Sequence, residues 1–320
     1  MKKSIKAVLL AACALIITGA VICVCAFGAV DFDIYRLSTP EDITREWHLE
    51  TVPSEGIERI RVNAEVDSIR VCSSDSDEIN LLYYTSQYGS YELRNENGEL
   101  SLDYVALKSR KWYEYITVDF GGAHSDEISV EIGIPAGYDG DLYIETTAGD
   151  MELTELELNG ALSARSTTGY MELYDVSAAS VEAQITTGTV ELRDITAKED
   201  ISVGCTTGGA GLENVFSEGR TAVRSTTGDI AMRCVEAASI TTECTTGSVN
   251  GYDVSSGSTV ITSTTGDISV YMRGTPEDYN VSANAATGGT EVEGADRANG
   301  EKRIDAGTAT GSIRIGFIGD

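Results

Sequence analysis

The sequence predicts an all-β fold: a parallel β-solenoid (β-helix) of about 20-residue coils, preceded by one N-terminal transmembrane helix. Three observations lead there. Thr-Thr-Gly recurs along the chain, its marker glycines being Gly149 (where the copy reads Thr-Thr-Ala-Gly), Gly169, Gly188, Gly208, Gly228, Gly247 and Gly266, at steps of 20, 19, 20, 20, 19 and 19 residues. Between the markers apolar residues alternate with a period of two, which is the signature of strands with one buried face. Finally, Ala7 to Val30 is 24 residues long without a charge, enough to cross a bilayer as a helix.

Each column justifies one element. Two and four residues after the glycine stand Met151, Met171, Val190, Ala210, Ile230, Val249 and Ile268, then Leu153, Leu173, Leu192, Leu212, Met232, Gly251 and Val270. This is one strand facing inward. Seven and five before it stand Leu142, Leu162, Val181, Ile201, Thr221, Ile240 and Thr259, then Ile144, Ala164, Ala183, Val203, Val223, Thr242 and Ile261. This is a second. An apolar column seven after the glycine (Leu156, Val176, Ile195, Val215, Val235, Val254) closes the coil. Glu152, Glu172 and Glu191 lie between inward residues and face water. The glycine marks a corner, because a positive φ costs glycine little and a β-branched residue much. A helix is excluded, since the apolar period is not 3.6.

Six parts follow in chain order: 1–6 as a cytoplasmic N-terminus, 7–30 as the membrane helix, 31–56 as a tether, 57–141 as irregular coils and cap, 142–275 as the regular solenoid, and 276–320 as terminal coils and C-terminal cap. Lys2, Lys3 and Lys6 precede the apolar stretch while Asp31 and Asp33 follow it, which places the remainder outside the cytoplasm. Two other readings of this stretch exist, cleavage after Ala26-Phe27-Gly28 and a lipoprotein box at Leu10-Ala11-Ala12-Cys13. The apolar run is longer than a signal core and continues past Cys13. Pro40 and Pro53 interrupt the tether. Tyr83, Tyr84, Tyr88, Tyr91, Tyr104, Trp112, Tyr113 and Tyr115 concentrate in the irregular part, where large rings suit a plug for the open end. Looser copies at Gly288 and Gly311 end the chain, as atypical terminal repeats should.

Charge and chemistry narrow the function. The chain carries 23 basic and 51 acidic residues, a net of -28; beyond the three N-terminal lysines the balance is 20 minus 51, or -31. Such a surface excludes nucleic acid and attracts cationic peptides. Cys205 and Cys244 share a column three before the glycine with Ser166, Ser225 and Ser263, where a small inward side chain is wanted, and two rungs of about 4.8 Å each put them beyond disulfide reach. The column six after the glycine holds Glu155, Asp175, Asp194, Asn214 and Asp253. Because it recurs in successive coils it reads as Asx side chains bonding turn amides, although weak calcium binding along it is an open alternative. The Thr pairs read as a corner ladder with side-chain hydrogen bonds between coils. His48 falls in the tether and His124 in a loop, so neither has a triad partner. No catalytic, cofactor or metal residue is assigned.

Several motifs together resemble one bacterial family. They are Asp31-Phe32-Asp33, the unit Ile-Arg-Val-Asn-Ala-Glu-Val-Asp-Ser-Ile-Arg-Val from 60 to 71, Val-Glu-Ile-Gly-Ile-Pro at 130 to 135, and Thr-Thr-Ala-Gly-Asp-Met-Glu-Leu from 146 to 153. The chain is similar from about residue 57 onward to the "putative adhesin" domain of unknown function in membrane-anchored proteins of Gram-positive bacteria. The resemblance implies a β-solenoid outside the membrane with an envelope role, and it carries no catalytic motif. The expected function is therefore a non-enzymatic surface binding or stress-sensing module. Its expected partners are an envelope ligand, cationic peptides or another membrane protein. A polysaccharide-active β-helix enzyme is the alternative.

Overall fold

The computed structural model describes residues 45–107, 130–294 and 300–319. The expected membrane helix at 7–30, Trp112, Tyr113, Tyr115 and His124 lie outside them. No helix among the described residues is long and apolar enough to cross a membrane. Contacts divide the chain into two units, one of Met1–Arg45, Ser86–Gly89 and Ala106–Asp126, the other of Glu46–Thr85, Ser90–Val105 and Glu127–Asp320. In the first, Ser86 N donates to Gly89 O at 2.8 Å to close a short turn. The second is the solenoid.

Its regular coils are long, parallel strands in one-to-one register. Leu162–Ala178 pairs with Val181–Ala197 so that Leu162 meets Val181, Gly169 meets Gly188, and Val176 meets Ile195. The predicted inward columns are buried throughout, from Leu142 and Met151 to Val254 and Ile268. Sequence inspection missed a further column, nine after the glycine, where Leu158, Ala178, Ala197, Ser217, Ala237 and Ser256 are buried. Its signal was weak because small residues occupy most of it.

The glycine ladder has two causes. Each marker φ lies between 132° and 146°, a region L side chains rarely adopt. In addition, a Cβ on Gly169, Gly188, Gly208, Gly228, Gly247 or Gly266 would strike the carbonyl of the marker glycine one coil earlier. That carbonyl is not left idle. The inward column three before the glycine donates to it: Cys205 Sγ to Gly188 O at 3.3 Å, Ser225 Oγ to Gly208 O at 3.4 Å, Cys244 Sγ to Gly228 O at 3.4 Å, Ser263 Oγ to Gly247 O at 3.4 Å and Thr308 Oγ1 to Gly266 O at 3.1 Å. The column therefore uses a short donor in most coils, with the buried Ile185 as the exception among the regular ones. Cys205 and Cys244 flank Ser225, one coil from each, and both are free thiols.

Both ends depart from chain order. Strand Ser258-to-Thr265 of one coil pairs with Lys302–Thr310, which pairs in turn with Tyr279–Thr287, so the last coil lies between the two that precede it. Ile268–Met272, Ile313–Phe317 and Thr290–Val292 repeat that order on the other face. At the opposite end Arg59–Ala64 lies between Glu99–Ala106 and Asp141–Ala148. The 19- to 20-residue period does not disclose this order at either end. Inserting the first and last coils pairs both their edges, so neither is left to fray.

Two expectations are corrected. Residues 31–56 do not form a tether throughout, since Glu46–Pro53 is a strand antiparallel to Glu78–Thr85. Trp47 packs edge-on against Tyr84 at 5.7 Å, while Leu49 stays 71% exposed; few inward apolar residues are needed on an outermost strand, which hid it. Second, the Thr pairs form no hydroxyl ladder from coil to coil: among the described residues only Thr146, of the first copy, bonds across, its Oγ1 donating to Asp67 O at 3.3 Å from the inward column three before the glycine. Thr186, Thr187, Thr206, Thr207, Thr226 and Thr227 are exposed at the corner, and the inward hydroxyls and thiols take the bridging role instead.

The aromatic plug is real where it is described. Tyr83, Tyr84 and Tyr91 are buried together, with Tyr104 at 5.4 Å from Tyr91. Tyr84 and Tyr91 each donate to the buried Asp67 carboxylate at 2.6 Å. Burial, then the adjacent Asp67, push the Tyr91 hydroxyl far above its ordinary pKa. At the other end Tyr279 is fully buried, its hydroxyl on Arg273 O at 2.6 Å and its ring 5.3 Å from Phe317.

Candidate functional site

Because the inner columns are fixed by packing, the informative positions are outward columns that change along the stack. Three after the glycine stand Glu152, Glu172 and Glu191, and then Gly211, Ala231, Asn250 and Ser269, each in register with the next. A run of long acidic side chains gives way to short ones. Five after the glycine the change is from Arg193 through Glu213 and Arg233 to Tyr252 and Tyr271.

The result is a groove of about 430 Å³ cut into one face, running from Glu191 and Arg193 to Tyr271. Gly211 forms its floor for no reason of backbone or space. Its φ is ordinary, and a Cβ there would meet only the Glu191 side chain at 3.7 Å, a normal contact. Gly251, one strand position further inward, is different, because a Cβ there would press on Val270 at 3.0 Å.

The charged walls are tied to one another. Arg193 donates to Glu172 at 2.7 Å and pairs with Glu191, which holds its guanidinium pKa above the ordinary value. Arg233 lies 3.5 Å from Glu213. Tyr252 is 54% exposed and its ring centre is 6.1 Å from that of Tyr271 at an angle of 51°. Tyr271 rests over Gly316, where a Cβ would collide with the ring. The geometry offers planar rings, amide and hydroxyl groups, and balanced ion pairs. It brings no nucleophile and base together.

A larger groove of about 800 Å³ lies nearer the first coils, around Arg59, Arg61, Tyr143 and Arg165. Arg59 sits 5.2 Å over the Tyr143 ring, and every guanidinium is matched: Arg59 with Glu99 at 3.5 Å, Arg61 with Asp103 at 3.5 Å, Arg165 with Glu182 at 2.9 Å. These partners fill the role an anionic ligand would take.

The acidic column is a corner, not a row of amide acceptors, which corrects the sequence reading. Glu155, Asp175, Asp194, Asn214, Cys234 and Asp253 all have φ between 52° and 59°, the left-handed region that Asn and Asp tolerate best after glycine. Asn214 Nδ2 donates to Asp194 at 2.9 Å, and Asp253 accepts from Arg273 at 2.7 Å. The Arg273 bond is the main cause that lowers the Asp253 pKa. Amide capture falls instead to the residue after the glycine: Asp150 accepts from Tyr170 N at 2.8 Å, Asp229 from Ser248 N at 2.7 Å and Asp267 from Ser312 N at 2.7 Å. Among the described residues no three His, Cys, Asp or Glu side chains converge as a metal would need. His48 bonds Thr85 at 3.0 Å and lies 5.4 Å from the Tyr83 ring, a packing role.

The glycine ladder, the parallel stack and its span decide the family, because a family model matches residues 57–317, from Ile57 through Phe317. The chain belongs to the Toastrack DUF4097 family. Solved structures similar to this toastrack chain include a "putative adhesin" from Bacteroides fragilis, at 13% identity over 85% of this chain and 97% of that one, with a TM-score of 0.37. A "putative cell adhesion protein" from Clostridium sporogenes matches at 11% identity over 86% and 100%, with a TM-score of 0.22. No curated protein matches the chain significantly.

Proposed function

We propose that this toastrack protein is a non-catalytic binding module of the cell envelope, anchored through residues 7–30 with the solenoid outside, and that the groove over Gly211 and Ala231 is its ligand-contacting surface. One observation carries the reading: the outward column loses its long acidic side chains over successive coils while the inner columns beneath stay buried throughout.

The test refills the groove. A Gly211→Glu, Ala231→Glu double variant of the soluble ectodomain extends the column of Glu152, Glu172 and Glu191 without touching the core. Cosedimentation with isolated envelopes should occur for the parent and fall at least about tenfold for the variant at equal thermal stability. Equal sedimentation of the two would contradict the assignment, and turnover of envelope glycans or peptides would contradict a non-catalytic role.

A second reading follows from the net charge of -28: capture of cationic peptides by the acidic surface as a whole. It predicts peptide binding that weakens steeply with salt and is unaffected by refilling the groove.

A further inference from the structure

The groove's chemistry narrows the ligand, and this step rests on the groove being the binding surface. We infer that it takes an uncharged oligosaccharide lying along the solenoid axis.

Charge is the first argument. The groove's ionisable walls are Glu191, Glu213, Arg193 and Arg233, two acids and two bases, on a chain whose net charge is -28. A cation is not selected where acids and bases balance on such a surface, and an anion would have to break ion pairs already made. Hydrogen bonding is the second. The strands under the groove are paired on both sides, Gly211 with Glu191 and with Ala231, Asn250 with Ala231 and with Ser269, so no backbone ladder is open to an extended peptide. Recognition falls to side chains, and the Asn250 amide and Ser269 hydroxyl both donate and accept, which suits a ligand that presents hydroxyls.

The rings supply the third argument. Tyr252 and Tyr271 give two apolar faces with polar rims at one end of the groove, suited to an amphipathic ring such as a pyranose. Dimensions agree. Five coils from Glu191 to Ser269 span four spacings of about 4.8 Å, or about 19 Å, and so repeat on the scale of one sugar per coil.

Calorimetry on the soluble ectodomain would use chitohexaose and cellohexaose as probes, with hexalysine as the charged comparison. The expected result is binding of at least one of the two sugars, insensitive to salt, and weakened at least about tenfold by Tyr252→Ala and by the Gly211→Glu, Ala231→Glu pair. Absence of binding by both sugars overturns the inference, as does binding that these variants leave intact. The envelope assay separates the two levels. If the double variant loses envelope binding while neither sugar binds the parent, the groove stands and the ligand class falls.

Discussion

Two halves of one solenoid face share a core and differ outside it. Beneath Glu152, Glu172 and Glu191 lie Met151, Leu153, Met171 and Leu173; beneath Gly211, Ala231 and Asn250 lie Ala210, Leu212, Ile230 and Val249, buried to the same degree. The stack is indifferent to what its outward positions carry. A change there is consequently not explained by folding, whereas constancy within is. The two kinds of glycine make the same point, since Gly228 is demanded by φ and by the carbonyl of Gly208, and Gly211 by neither.

Gly228→Ala against Gly211→Ala sharpens that contrast most. The first forces a Cβ at a φ of 134° onto the neighbouring carbonyl and should cost more than about 3 kcal/mol; the second should change stability by less than about 0.5 kcal/mol. Urea denaturation measures both, and similar losses would erase the distinction.

A smaller gain is expected at Thr221. Its hydroxyl is fully buried without a hydrogen-bond partner, in a column that elsewhere holds Val181 and Ile201. Thr221→Val removes the unsatisfied group at nearly constant shape and should raise stability by about 1 to 3 kcal/mol, visible as a higher Tm.

The donor column predicts unequal effects of two cysteine replacements. Cys244→Ala should cost about 0.5 to 1.5 kcal/mol by stripping the donor from Gly228 O, while Cys244→Ser should cost less, because Ser225 and Ser263 fill the same position in flanking coils. Burial raises the Cys244 thiol pKa, so Cys244 in the native protein should also react slowly with alkylating reagents at neutral pH.

The smallest effect concerns acid. The hydrogen bond from Arg273 lowers the Asp253 pKa, so the folded value lies below the unfolded one. Its contribution is present above the unfolded pKa and is lost as pH falls through the folded value. Asp253→Asn keeps a residue suited to positive φ, as Asn214 is, and its deficit against the parent should shrink as pH drops below the ordinary carboxylate range. A deficit independent of pH would remove Arg273 from the explanation.

Most of the repeat was legible because its causes are local. Period-two alternation fixed which side of each strand is inward, and the 19- to 20-residue step fixed the coil. What escaped is non-local. Nothing within Lys302–Thr310 announces that it lies between Tyr279–Thr287 and the coil containing Ser263, since any strand of suitable length could be inserted there. Glu46–Pro53 escaped for a related reason, as an outermost strand needs little apolar content. The acidic corner was found as a column and given the wrong cause, because a taste for Asp and Asn is shared by amide-capping turns and left-handed φ. The groove was present in the same columns, as the point where Glu at 152, 172 and 191 yields to Gly211.

Hydroxyl-radical footprinting of the ectodomain on isolated envelopes tests the groove most directly. Tyr252, now 54% exposed, should become protected together with Tyr271, while Tyr174 on the acidic half of the same face should react as in the free protein. Protection of Tyr174 with Tyr252 unchanged would place the ligand elsewhere and contradict the account.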